Sequence, residues 1–103
     1  MKLSEPQMWL LDWLKERGRD AVAEWKFHKD RKWRFDVAIP TDQLAFEIDG
    51  AIWTRGRHAR GAGIKKDNEK INTAQALGWR VFRFTPDEVK CGEAAKFIER
   101  WML

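Results

Sequence analysis

The chain has 103 residues, a length that suits one compact domain built around a single core. Its composition, 44% hydrophobic and 35% charged with seven tryptophans, is typical of a globular protein and excludes a low-complexity or repeat protein. The formal net charge of +4 favours a polyanionic partner, although such a surplus is also common in proteins that never bind nucleic acid. We therefore expect one domain spanning residues 1–103.

Two features of the chain exclude other protein classes. The single cysteine, Cys91, excludes an internal disulfide framework and a cysteine zinc cluster, and it suits a reducing compartment. The N-terminal apolar run is interrupted by Asp12 and by further charges, so it predicts neither a signal peptide nor a membrane span. The expected protein is soluble and cytoplasmic, with no membrane partner.

The predicted elements follow the order α-β-β-β-α-β-α. Ser4 as N-cap, with Gln7 at the capping-box position, begins a first helix that ends at Gly18. Strands are predicted at 21–28, 33–39 and 44–49, a helix at 64–77 and a strand at 79–84. A second capping box at Thr85 opens one last helix, whose core-facing residues are predicted to be Val89, Phe97, Ile98 and Trp101. The helix between the third and fourth strands suits a parallel crossover, which predicts a mixed sheet with helices on its faces.

The segment 33–50, WRFDVAIPTDQLAFEIDG, carries three acidic residues within the predicted β-hairpin. Side chains on a strand alternate between the two faces of the sheet. One face should therefore be apolar and contain Trp33, Phe35, Val37, Ile39, Leu44, Phe46 and Ile48. The opposite face should contain the carboxylates of Asp36, Glu47 and Asp49.

The register of the hairpin places two of these acids against each other. If PTDQ is a four-residue loop, Ile39 pairs with Leu44 and Asp36 lies directly opposite Glu47. Opposed residues have Cβ atoms about 4.5–5.5 Å apart, where like charges destabilise the sheet. The pair therefore needs a proton, a cationic neighbour or a metal such as Mg²⁺, which prefers oxygen ligands. The alternative is that both acids are simply exposed to solvent.

Asp49 has an equally simple alternative to a role in metal binding. The same register places it opposite Arg34, which would make an ordinary cross-strand ion pair.

Asp36 and the run Glu47-Ile48-Asp49-Gly50, set in this order of elements, resemble the PD-(D/E)XK nuclease superfamily. The arrangement FD…FEIDG…H…D…GWRVFRF is most similar to the small branch of very-short-patch-repair-like and compact phage-type endonucleases, and it covers roughly residues 24–88. The resemblance implies an α/β, restriction-endonuclease-like fold with a central four-stranded mixed sheet flanked by helices. It also implies an Mg²⁺- or Mn²⁺-dependent endonuclease that hydrolyses DNA, either structure-directed or with weak sequence specificity.

Position by position, the resemblance implies that Asp36, Glu47 and the backbone carbonyl of Ile48 hold the metal ion. The motif lysine of the family is replaced here by Asp49, which cannot supply positive charge. One alternative is that Lys70, on the helix at 64–77, has taken over this role, with Lys66 as a weaker choice. Another is that Asp49 is itself a ligand.

Some assignments are left with both a functional and an ordinary reading. Lys70 and Asp67 could be no more than a surface pair on one helix. His58 could act as general base or extra ligand, or could contact phosphate or lie exposed. Glu24 or Glu16 could provide a further acidic ligand of the kind found in some family members, although an exposed glutamate is the simpler reading.

A basic, glycine-rich loop directly follows the acidic strand. Arginine makes bidentate contacts to phosphate, and a helix N-terminus after Gly63 would add partial positive charge. The residues predicted to contact DNA are Trp53, Arg55, Arg57, Arg60, Lys65 and Lys66. DNA is the expected partner, together with a possible homodimer or larger DNA-processing complex. Two rival functions are a non-catalytic nucleic-acid-binding module, supported by Asp49 in the lysine position, and a small structural protein with incidental charge.

Overall fold

A computed structural model describes residues 2–49 and 62–103 of the chain. Its helices are α1 (Glu5–Glu16), α2 (Ala62–Ala76), α3 (Pro86–Lys90) and α4 (Glu93–Met102). Its strands are β1 (Val22–Lys26), β2 (Arg34–Ile39), β3 (Leu44–Ile48) and β4 (Arg80–Phe84), with a 3-10 turn at Pro40–Asp42. Within these two ranges, no helix combines the length and apolar character needed to cross a bilayer.

The four strands form one mixed sheet in the order β1-β2-β3-β4. Strand β2 is antiparallel to both β1 and β3, whereas β3 and β4 are parallel. Helix α2 lies in the connection between the two parallel strands, as the order of elements predicts. The predicted α/β class, with a four-stranded mixed sheet flanked by helices, is confirmed.

Apolar side chains cover both faces of the sheet. The first cluster joins α1, α3 and α4 to Val37, Ile39, Leu44 and Phe46. The second cluster joins Ala74 of α2 to Ala38 and Ala45. Because neighbouring residues of a strand point to opposite faces, α2 packs on one side of the sheet and the other helices pack on the opposite side. The small alanines let α2 approach the face that carries the acidic side chains.

The predicted hairpin register is confirmed, but the predicted apolar face is wrong at its beginning. Ile39 pairs with Leu44, and Val37 pairs with Phe46. Phe35 nevertheless packs in the second cluster, on the side of α2, where it stacks on Phe27 with ring centroids 4.2 Å apart. Trp33 also stacks on Phe27, at 5.9 Å. The alternation of β2 therefore changes around Asp36, where the strand pairing is interrupted.

The predicted last helix is two helices. Thr85 makes the predicted capping box with Glu88, but α3 ends before Gly92, whose φ of 90° is left-handed. The new direction of α4 buries Ile98, whereas Phe97 and Trp101, predicted to face the core, are 40% and 62% exposed. Val89 is buried as predicted. A left-handed residue ends the helical path, so one continuous apolar stripe cannot describe this segment.

Gly92→Ala should destabilise the protein by about 1–2 kcal/mol, because an L-residue pays that amount in the left-handed region. Nothing lies within 4 Å of an added Cβ, so the cost arises from the backbone and not from a clash. Urea denaturation of wild type, Gly92→Ala and the exposed control Lys96→Ala would measure it. Equal stabilities of the two variants would contradict this account of the α3–α4 junction.

Candidate active site

Side chains bond to the backbone of the neighbouring strand where the regular pairing of β2 with β3 ends. Beyond Val37 and Phe46, the Asp36 backbone N–H donates to Oε2 of Glu47 at 3.0 Å. In return, the Ile48 backbone N–H donates to Oδ2 of Asp36 at 2.7 Å. Each carboxylate thus accepts a hydrogen bond from a backbone N–H of the neighbouring strand. The structure brings Asp36 and Glu47 together, as the loop length predicts.

The other side of Asp36 is held by helix α1. Gln7, only 6% exposed, donates from Nε2 to the backbone carbonyl of Asp36 at 2.8 Å and to the Glu24 carboxylate at 2.7 Å. Glu24 has a φ of 53° and interrupts the β1–β2 pairing opposite Asp36. The Gln7 amide therefore supplies a donor to Asp36 at a point where β1 departs from regular strand geometry.

Gln7 positions Asp36 and Glu24, a role that its place in the sequence does not indicate. Its predicted role is present, since the Gln7 side chain accepts from the Ser4 backbone N–H at 3.2 Å in the capping box. The same amide also reaches the sheet, which no local motif reveals. Burial of so polar a side chain is the signal, and burial becomes visible only in the folded chain.

Lys70 supplies positive charge directly beside the two acids. Its Nζ forms an ion pair with Oε1 of Glu47 and donates to the backbone carbonyl of Arg34 at 2.6 Å. The Lys70 and Glu47 side chains are 18% and 13% exposed, so solvent screens this pair less than a surface ion pair. The Phe35 ring centroid lies 5.8 Å from Nζ, within the range of a cation–π contact.

These groups line one cleft of about 210 Å³ between the sheet and α2. Its lining residues are Asp36, Glu47, Ile48, Asp49, Asp67, Lys70 and Arg83. Asp49, at the end of β3, has its carboxylate 3.9 Å from the Arg83 guanidinium. Arg83 carries no signal in the sequence beyond its place in the predicted strand at 79–84, and its side chain is 41% exposed.

Burial raises the pKa of the Asp36 carboxyl from its ordinary value of 3.8 to about 6. The neighbouring charge of Glu47 adds to the increase, and Glu24 contributes a smaller part. The hydrogen bond from the Ile48 backbone and the charge of Lys70 act in the opposite direction. Asp36 therefore exchanges a proton near neutral pH, within a site that also contains a fixed cation.

The other predicted site residues are either outside the described ranges or not among the residues that line the cleft. His58, Trp53, Arg55, Arg57 and Arg60 fall outside the described residues. Glu16 is exposed at the end of α1 and does not line the cleft, whereas Glu24 lies next to it through Gln7. Lys65 and Lys66 are exposed in the first turns of α2, and neither lines the cleft.

The oxygen atoms at this site are compatible with a hard divalent ion that takes few ligands from the protein. Among residues 2–49 and 62–103, no three histidine, cysteine or acidic side chains are grouped to hold a metal. The carboxylates that the structure brings together are those of Asp36 and Glu47. Mg²⁺ often binds through only one or two carboxylates and keeps several waters, so these residues fit it.

A search of solved structures identifies a similar fold in "Homing Endonuclease I-Bth0305I Catalytic Domain", with a TM-score of 0.66. The match covers 94% of this chain and 91% of that chain, at 20% sequence identity. No family model matches the sequence, and a search of curated proteins gives no match. At this level of identity, the similarity establishes a shared fold.

The Asp36 carboxyl should titrate with a midpoint near pH 6 in metal-free protein. Because its folded pKa exceeds the unfolded value, its stabilising contribution is complete below 3.8 and is lost as pH rises through about 6. Asp36→Asn should therefore gain stability relative to wild type between pH 4 and pH 7. Carboxyl ¹³C NMR and urea denaturation with a chelator would measure both effects, and a midpoint near 4 would contradict them.

Gln7→Met should lower the free energy of unfolding by about 1–3 kcal/mol, because it leaves the Asp36 carbonyl and the Glu24 carboxylate without their donor. Gln75→Met, at an exposed position of α2, is the matched control and should change stability little. Urea denaturation of both variants compares the two positions. A loss of equal size at both would show that the buried amide has no special role.

Proposed function

We propose that this chain is a metal-dependent endonuclease of PD-(D/E)XK type, which hydrolyses DNA phosphodiester bonds in the cleft of Asp36, Glu47 and Lys70. The observation that carries the proposal is the Lys70–Glu47 ion pair beside Asp36, assembled from three separate elements. The similar solved structure is named as the catalytic domain of a homing endonuclease, which supports the same reaction class.

Hydrolysis of a phosphodiester needs an oriented water and a cation that stabilises charge on the phosphate oxygens. Lys70 is suited to both tasks. An ammonium has three N–H donors. In the described part of the chain, two of them are hydrogen-bonded, one to the Glu47 carboxylate and one to the Arg34 carbonyl. The remaining N–H can reach a water or a phosphate oxygen in the cleft. Lys70 would thereby supply, from α2, the charge that Asp49 cannot provide at the motif position.

Asp36, Glu47 and the Ile48 carbonyl would hold Mg²⁺ or Mn²⁺ in this proposal. Such an ion, when bound, polarises the phosphate and lowers the pKa of its coordinated water. Hydrogen bonds from the backbone of Asp36 and Ile48 restrict the rotation of the two carboxylates. Ligands oriented in this way need less reorganisation on binding, which is the usual contribution of hydrogen-bond partners around a metal site.

DNA is the proposed substrate because charge near the cleft favours a polyanion. Arg83 lies at the cleft, Lys65 and Lys66 are exposed on the helix that carries Lys70, and the net charge is +4. Contacts of this kind bind phosphates and carry no sequence information. We therefore favour recognition of DNA structure, such as a nick or branch, over recognition of a sequence.

Incubation of supercoiled and branched DNA with Mg²⁺ or Mn²⁺ tests the proposal. Wild type should cleave, and Glu47→Gln and Lys70→Met should each reduce the rate by about 100-fold or more, as loss of one charge-stabilising group commonly does. Glu99→Gln and Arg17→Met, which break the exposed Arg17–Glu99 pair, are matched controls and should cleave normally.

Binding of DNA without cleavage under every metal condition would instead support the non-catalytic module, for which Asp49 in the lysine position is the favouring observation. Cleavage that survives in both Glu47→Gln and Lys70→Met would place the chemistry outside this cleft.

A further inference from the structure

We infer that Lys70 is the built-in counter-ion of this site and that it competes with the divalent cation for the carboxylate of Glu47. The inference rests on the proposed function, because it concerns the metal site assigned there. Its consequence is a coupling: binding of the cation releases the Lys70 ammonium from Glu47 and makes it available to the substrate.

The first observation is that both carboxylate oxygens of Glu47 are already bonded within the protein. Its Oε2 accepts from the Asp36 backbone, and its Oε1 is paired with Lys70. Both oxygens therefore already have a donor in the protein. A divalent cation that binds this carboxylate must either displace the ammonium or share the carboxylate with it. Sharing brings like charges within a few ångströms of each other, in a place where both side chains are less than one-fifth exposed and screening is weak.

The charge balance of the cleft is the second observation. Asp36 and Glu47 face each other across β2 and β3, and Lys70 is the cation in contact with Glu47. Two opposed carboxylates repel, so the ammonium stabilises the metal-free fold. This stabilisation by Lys70 is lost when the divalent cation displaces the ammonium from Glu47. Lys70 should therefore strengthen the metal-free protein and weaken its affinity for metal.

The other contacts of Lys70 explain why its release would be useful. The ammonium also donates to the Arg34 carbonyl and lies 5.8 Å from the Phe35 ring centroid. These contacts do not depend on Glu47, so they keep the released ammonium at the cleft. The N–H that Glu47 holds in metal-free protein would then become available to the phosphate only in protein that has bound its cation.

Calorimetric titration of Mn²⁺ into DNA-free protein at pH 7.5 tests the competition. Lys70→Met should bind Mn²⁺ about 10-fold more tightly than wild type, which is the lower end of what removal of an adjacent charge produces. Lys70→Arg, which keeps the charge, and Lys96→Met, at an exposed position of α4, should bind with nearly wild-type affinity. In chelator, Lys70→Met should also unfold at lower urea than wild type.

Unchanged or weaker Mn²⁺ binding by Lys70→Met overturns the inference, as does a failure of all four proteins to bind Mn²⁺. Tighter binding by Lys70→Arg equal to that of Lys70→Met would also overturn it, because the effect would then not depend on charge. If Lys70→Met shows the expected gain and wild type cleaves no DNA, the inference stands and the proposed nuclease function fails.

A measurement on wild type remains decisive if Lys70→Met does not fold. The ¹³Cε resonance of Lys70 should shift on titration with Mg²⁺, whereas that of Lys96 should not. A Lys70 resonance that stays unchanged at saturating Mg²⁺ overturns the inference.

Discussion

Asp36 and Glu47 each accept a hydrogen bond from the backbone of the neighbouring strand where the regular pairing of β2 with β3 ends, and these bonds position the rest of the cleft. Such a carboxylate satisfies a backbone N–H and still has oxygens for another partner. Gln7 performs the complementary task on the β1 side, where it donates to the Asp36 carbonyl. Backbone groups of the sheet are thus paired with side chains at this point, and no buried side-chain N or O atom in the described ranges lacks a partner.

The same arrangement explains why two acids can be adjacent in a folded sheet. Their repulsion and burial are opposed by hydrogen bonds from the backbone and by the Lys70 ammonium. Burial makes this balance sensitive, since charges interact more strongly where water is scarce. The charges of Asp36, Glu47 and Lys70 would therefore readjust when a divalent cation binds. This sensitivity links the fold to the proposed hydrolysis and to the proposed competition at Glu47.

The site was predictable where it depended on local periodicity and loop length. A four-residue loop sets the hairpin register, and the register alone places Asp36 against Glu47. Lys70 could be proposed because Asp49 occupies the position of the motif lysine and the next predicted helix offers a lysine in its place. Phe35 was misplaced, because the interruption at Asp36 and Glu24 changes which face it occupies. Nothing in the sequence indicated that Gln7 or Arg83 belongs to the site. Gln7 was predicted only as part of a helix cap, and Arg83 only as part of a strand.

By itself, the sequence determined the order of the elements as far as β4, the capping boxes at Ser4 and Thr85, the hairpin register and the pairing of two acids, because each depends on interactions between residues close along the chain. Only the tertiary structure decided which cation meets Glu47, that Gln7 is buried against Asp36, and that Gly92 turns the final segment into two helices. These outcomes depend on how α1, α2 and α4 pack on the sheet. Packing joins residues that are distant in sequence, such as Gln7 and Asp36 or Glu47 and Lys70, and no local pattern encodes those distances.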